Sequence, residues 1–326
     1  MPTLANSWLA DVWTGASLSG LGAVTAAGLC YGSLGSDTGG SIRFPSAACG
    51  LTGLKPTWGR VSRYGVFPLS ETLDHIGPMT RTAADCAAML AAIAGADSRD
   101  PTALLASVPD YVTGVTGSIR GLRVGIADYA FDGLSEEVLT ALTGAKDALA
   151  GLGARPVPVD FPSIADAMTA WLHLCLGEVA IAHEATYPSR AGEYGPALGR
   201  VLEAAGKVSA AELGKAHIVR DRFAGQAAAA FQDVDVLLIP VWSTPMPTAA
   251  EWMEMAQRDI ADLLRYSGPF NLTGVPALTM NGGFDQRGAP IGFQLVGKHL
   301  SEDLLLRVGH AFQSITDWHT RHPALD

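Results

Sequence analysis

The chain has 326 residues, 48% of them hydrophobic and only 17% charged, against about 25% charged in an ordinary globular protein. That balance excludes disorder as the main state and gives one large domain or two small ones. A net charge of −10, with no dense run of Lys or Arg, argues against a nucleic-acid partner.

The N-terminus lacks a basic segment followed by an apolar one, so no secretory leader is expected. The longest apolar stretches, such as 236–241, fall far short of the ~20 residues that cross a bilayer, so no membrane is expected. Cys30, Cys49, Cys86 and Cys175 are widely spaced, which fits reduced thiols in a cytoplasmic protein and not a disulfide frame or a zinc site.

Residues 14–65 are rich in Gly, Ser, Thr and Ala and short of charge. Ile42, Phe44, Leu51, Leu54 and Trp58 interrupt the tract, so it is no linker; small residues at this density let backbones approach closely. A helix is predicted after Thr82, with Asp85 completing its cap, an apolar face of Ala83, Cys86, Met89, Leu90 and Ile93, and Gly95 as its stop. Residues 97–118 read as a loop and 122–126 as a short buried strand. A helix is predicted over 135–149, and 155–159 as an edge strand carrying prolines. Ala-rich helices cover 163–187 and 209–231. Residues 234–239 read as a central strand, and 275–280 and 291–296 as two more, with Gly282, Gly283 and Gly288 in the turn between them. Ser301 opens a last helix. Alternating strands and helices give an α/β class. No linker divides the chain, so it reads as one domain over 1–326.

The chemistry concentrates in Gly-Ser-Asp-Thr-Gly-Gly-Ser-Ile-Arg at 35–43. Consecutive glycines before a serine leave backbone N–H groups free to face one concavity, a nest that holds a developing oxyanion. Ser41 at its end is placed to attack a carbonyl. Asp37 and Arg43 carry opposite charges and fit an ion pair bracing the loop. On these residues alone, a plain glycine-rich turn with a solvated serine competes with that reading.

The stretch GSDTGGSIRFPSAACGLTGLKPTWGRVSRYG closely resembles the signature of the amidase signature family. The resemblance continues through 73–82, returns at 270–277 and 292–297, and ends near Trp318 and His319. It covers most of the chain and is weaker over 97–230. It implies a mixed β-sheet core covered by helices, and hydrolysis of a small-molecule amide by a Ser–Ser–Lys triad with no cofactor and no metal. It makes Ser41 the nucleophile and Ser17, 24 positions earlier, the bridging serine, following a non-proline cis bond at Ala16–Ser17. It makes the N–H groups of Thr38, Gly39, Gly40 and Ser41 the oxyanion hole. Signature core and C-terminal part are then expected over about 14–95 and 230–326.

Two features depart from the family. The first serine loop reads Gly15-Ala16-Ser17-Leu18-Ser19-Gly20 where the family has Gly-Gly-Ser-Ser-Gly-Gly, and Ser19 competes with Ser17 for the bridging role. The family lysine lies several dozen residues before the first serine, whereas Lys55, Lys146, Lys207, Lys215 and Lys298 all follow Ser41; Lys55 reads as structural. The chain is therefore expected to lack the family's N-terminal segment, with impaired activity. Two alternatives follow: a catalytically weak remnant that binds amides, and the A subunit of a tRNA-dependent amidotransferase, which needs glutamine and a second, partner subunit. Homodimerisation is the default expectation otherwise. Asp74-His75 invites a Ser/His/Asp reading with Ser41, but the resemblance assigns both to the scaffold. His173, His183 and His217 show no metal-ligand spacing.

Overall fold

A computed structural model describes residues 4–15 and 17–324. Eight strands run along the chain: β1 Gly32–Asp37, β2 Thr52–Lys55, β3 His75–Thr80, β4 Arg123–Ile126, β5 Arg155–Pro158, β6 Val236–Pro240, β7 Ala277–Phe284 and β8 Pro290–Gly297. They form one mixed sheet in the order β1-β3-β2-β7-β8-β6-β4-β5. The six strands from β1 to β6 in that order pair antiparallel, and β6, β4 and β5 pair parallel.

Both faces of this sheet are covered. On one side Leu238, Leu278 and Leu295 pack with Leu90, Leu142 and Phe312 from three helices. On the other, Leu237, Ile239 and Val296 pack with Leu174, Phe223 and Phe270. Each such side chain contributes about 1.5–3 kcal/mol on burial. Double coverage explains why β6, and β8 apart from Gln294, are apolar without alternation.

Local signals set several boundaries. Thr82 accepts from Asp85 N at 3.0 Å and opens the Ala83–Ile93 helix. Ser135 caps Glu136–Gly151, and a reciprocal Ser209/Glu212 box starts Ala210–Ala230. The helix expected over 163–187 runs Ala165–His183. β5, with its two prolines, lies at the sheet edge.

Two readings need correction. Gly282 and Gly283 lie within β7, where a bulge between Asn281 and Gly283 shifts the register against β8; the turn is 285–289, tied by Asp285. The loop over 97–118 contains the short Tyr111–Gly114 helix, capped by Asp110. The glycine-rich tract supplies β1 and β2 and the Arg43–Ala48 helix. Gly32 and Gly35 in β1 are glycines because a Cβ there would collide with Met89 and Leu18.

Candidate active site

The loop carrying Ser41 leaves β1 at the sheet edge and turns into the Arg43–Ala48 helix. Asp37, the last residue of β1, closes the turn: its Oδ2 accepts from the backbone N–H of Ile42 at 3.1 Å and of Arg43 at 3.4 Å. The Arg43 guanidinium returns to the same carboxylate, with Nε at 3.0 Å and Nη2 at 2.9 Å. Both side chains are fully buried. Burial alone would push Asp37 up, but the guanidinium beside it holds its carboxyl well below the usual carboxylate range.

Distant residues complete this pair. Arg43 Nη1 donates to Ser267 O at 2.9 Å and Gln294 Oε1 at 3.3 Å, and Nη2 also donates to Asn271 Oδ1. Gln294 Nε2 reaches Pro240 O and Tyr266 O. The sequence reading missed Ser267, Asn271 and Gln294. A glutamine inside a strand buried on both faces was the available signal, because such a group must find partners.

The same surroundings orient the nest. Four consecutive carbonyls are drawn into the protein. Asp37 O accepts from Asn271 Nδ2 at 2.8 Å, Thr38 O from Trp171 Nε1 at 2.8 Å, Gly39 O from Ser267 Oγ at 2.5 Å, and Gly40 O from the Phe44 N–H at 2.7 Å. In a planar trans peptide the N–H points opposite to its carbonyl. The N–H groups of Thr38, Gly39, Gly40 and Ser41 therefore face away from these anchors, and they find no acceptor among the described residues. Gly40 has φ +143°, and its Cβ would lie 2.3 Å from the Phe44 ring; at Gly39 a Cβ would lie 2.5 Å from the Trp171 ring. Only glycine fits these two positions.

Ser17 Oγ and Ser41 Oγ are 3.1 Å apart, with Ser17 exposed and Ser41 half-buried. Ser19 instead donates to Gly15 O, at the start of the Ser19–Ala26 helix. The Ala16–Ser17 bond lies outside the described residues.

The remaining candidates sit apart from this pair. Asp74 accepts from Thr38 Oγ1 at 2.5 Å and from the N–H groups of Leu69 and Ser70, bracing the loop from below, and burial pushes its carboxyl up. His75 Nδ1 contacts Leu73 O at 2.7 Å, and its ring is fully enclosed. Lys55 is buried beneath the loop and donates to Pro56 O at 3.3 Å and to Val275 O. Burial, and then Arg43, push its ammonium well below the usual lysine value. No Asp74, His75 or Lys55 side chain bonds Ser41 among the described residues. Nor do they contain a cluster of three or more His, Cys, Asp or Glu that would hold a metal. Cys49 and Cys86 are buried, and all four thiols are free.

Comparison with known proteins places this arrangement. A family model described as Amidase matches residues 1–306. "Putative amidase AmiD" of Mycobacterium tuberculosis (strain ATCC 25618 / H37Rv) is 41% identical over 99% of this chain and 68% of its own length. The glutamyl-tRNA(Gln) amidotransferase A subunit of Roseiflexus sp. (strain RS-1) is 38% identical over 98% of this chain and 70% of its own. Among solved structures, 6-aminohexanoate cyclic dimer hydrolase superposes with a TM-score of 0.89 at 26% identity, covering 98% of this chain and 71% of that one.

Proposed function

The chain belongs to the amidase signature family and is an amide hydrolase, and on that premise we propose that Ser41 is its nucleophile and Ser17 its proton relay. The observation that carries this reading is the 3.1 Å contact between the two hydroxyls at the edge of the nest. Ser41 Oγ bonds to the carbonyl carbon, and the carbonyl electron pair moves onto oxygen. The amides of Thr38, Gly39, Gly40 and Ser41 hold that charge. The Ser41 proton passes to Ser17 Oγ, and the proton Ser17 already carries passes to the leaving nitrogen. The C–N bond breaks and the amine departs neutral. Water then attacks the acyl ester, its proton returns through Ser17 to Ser41, and the acid leaves. Asp37 and Arg43 brace the loop throughout. We read the enzyme as a single-domain, cytoplasmic protein working without a cofactor.

A fluorophosphonate probe, read by peptide mass spectrometry, tests the assignment. Ser41 is expected to carry the label. A folded Ser41→Ala variant is expected to lose it, together with most of whatever hydrolysis the unaltered chain shows. Undiminished hydrolysis by that variant overturns the assignment. A second reading, an amidotransferase A subunit, draws on the likeness to the Roseiflexus protein; glutaminase activity together with co-purification of a second subunit would favour it.

A further inference from the structure

A cavity of about 160 Å³ opens directly beside Ser41, floored by Thr38, Gly39 and Gly40. Its walls are Trp13, Phe44, Trp171 and Trp252, closed by Leu69 and Leu264. Trp13 and Trp252 stack with ring centres 4.5 Å apart and planes 16° from parallel. No charged side chain lines it among the described residues. Its polar side chains are also largely committed. Thr38 Oγ1 donates to Asp74, and Trp171 Nε1 donates to Thr38 O. Burial pushes the Cys175 thiol up to about 12, which keeps it neutral. Away from the nest amides on the floor, which serve the substrate carbonyl, a charged group entering here would lose its water and meet no charged side chain, a cost far above that for an apolar group. A dry cavity of about 150 Å³ with apolar walls accepts a benzene-sized ligand.

Ser17 stands outside this lining and is exposed. The relay to the leaving nitrogen therefore lies on the solvent side of Ser41, which leaves the cavity to the acyl half of the substrate. We infer that this cavity is the acyl site and that it selects uncharged, compact apolar acyl groups of about the size of one aromatic ring. The inference rests on Ser41 as nucleophile and deepens that reading.

Binding to a Ser41→Ala form of the full chain tests the cavity without any turnover. Tryptophan fluorescence would be titrated with benzamide, propionamide and 4-carbamoylbenzoate. Benzamide is expected to bind about tenfold or more tighter than either of the others, from the extra apolar surface it buries and from the charge the third compound carries. Trp252→Ala in the same background is expected to reduce that advantage to about threefold or less, and Trp252→Phe to retain most of it. Equal affinity for benzamide and propionamide, or tighter binding of the carboxylate, overturns the inference. Fluorophosphonate labelling of the unaltered protein reports separately on the nucleophile. Unlabelled Ser41 beside an intact benzamide preference sinks the nucleophile reading, whereas labelled Ser41 without that preference sinks the acyl-site reading.

Discussion

Trp171 Nε1 and the carbonyl of Thr38 lie 2.8 Å apart, across 133 positions of sequence. That contact fixes the peptide plane whose other end is the Gly39 N–H. A side chain outside the signature stretch thereby aims one donor of the nest. Trp171→Phe removes the indole N–H and keeps most of the ring. Its expected effect is a roughly tenfold fall in kcat with a smaller change in KM, because a misaimed donor fails the transition state more than the bound substrate. Steady-state kinetics with a thermal melt as control checks it; a KM effect alone, or no effect, contradicts the orienting role. Ser267→Ala, acting on Gly39 O, is expected to behave alike.

The Asp37–Arg43 pair gives a stability prediction. Removing one partner of a buried ion pair strands the other charge, at about 3–5 kcal/mol. Arg43→Met and Asp37→Asn are each expected to lower stability by that order in urea unfolding. The double variant is expected to lose less than the two losses added, since the partners share one network. Strict additivity would mean that the pair is not coupled.

His75 gives a pH prediction. Burial, then the charge of Lys55, holds its imidazole well below 6.5, against the opposing pull of Asp37. The Leu73 carbonyl at Nδ1 favours the Nδ1–H tautomer, and Nε2 is buried without a partner among the described residues. Below pH 6.5 the unfolded chain takes up a proton that the native ring refuses. The contribution of His75 is therefore complete above pH 6.5 and declines as pH falls toward the depressed native value, by at most about 1.4 kcal/mol per pH unit. Melting temperatures from pH 7.5 to 5.5 should fall in the unaltered protein and fall less steeply in His75→Asn, which can keep a donor toward Leu73 O. Equal slopes would show that the native ring takes up its proton as readily as the unfolded one, so that its affinity is not depressed.

Long helices were legible in the sequence because their caps and periodicity are local: Thr82, Ser135 and Ser209 each mark a start. The apolar runs of β6, β7 and β8 were legible for the same reason. β1 and β3 were not. Gly32 and Gly35 lower strand propensity, and their use is to admit Met89 and Leu18, which only the tertiary structure reveals. Pro78 sits inside β3, the second strand of the sheet, where proline argues against strand. At the site, the candidates were legible: Ser41 and the nest within the signature stretch, Ser17 by its place 24 positions earlier. Their supports were not: Trp171 lies in the weakly similar middle region, and nothing local in Ser267 announces a bond to Gly39 O.

Arg43 stays unfinished until Asn271 and Gln294 reach it, more than 220 positions downstream. On the ribosome, at roughly 5–20 residues per second, that delay is on the order of ten to fifty seconds. A nascent chain that has already exposed its serine loop has only Asp37 for the guanidinium and lacks the Asn271, Trp171 and Ser267 anchors for three of the loop's carbonyls. The proposed site is therefore born unassembled, and it is complete only with the closing strands of the sheet.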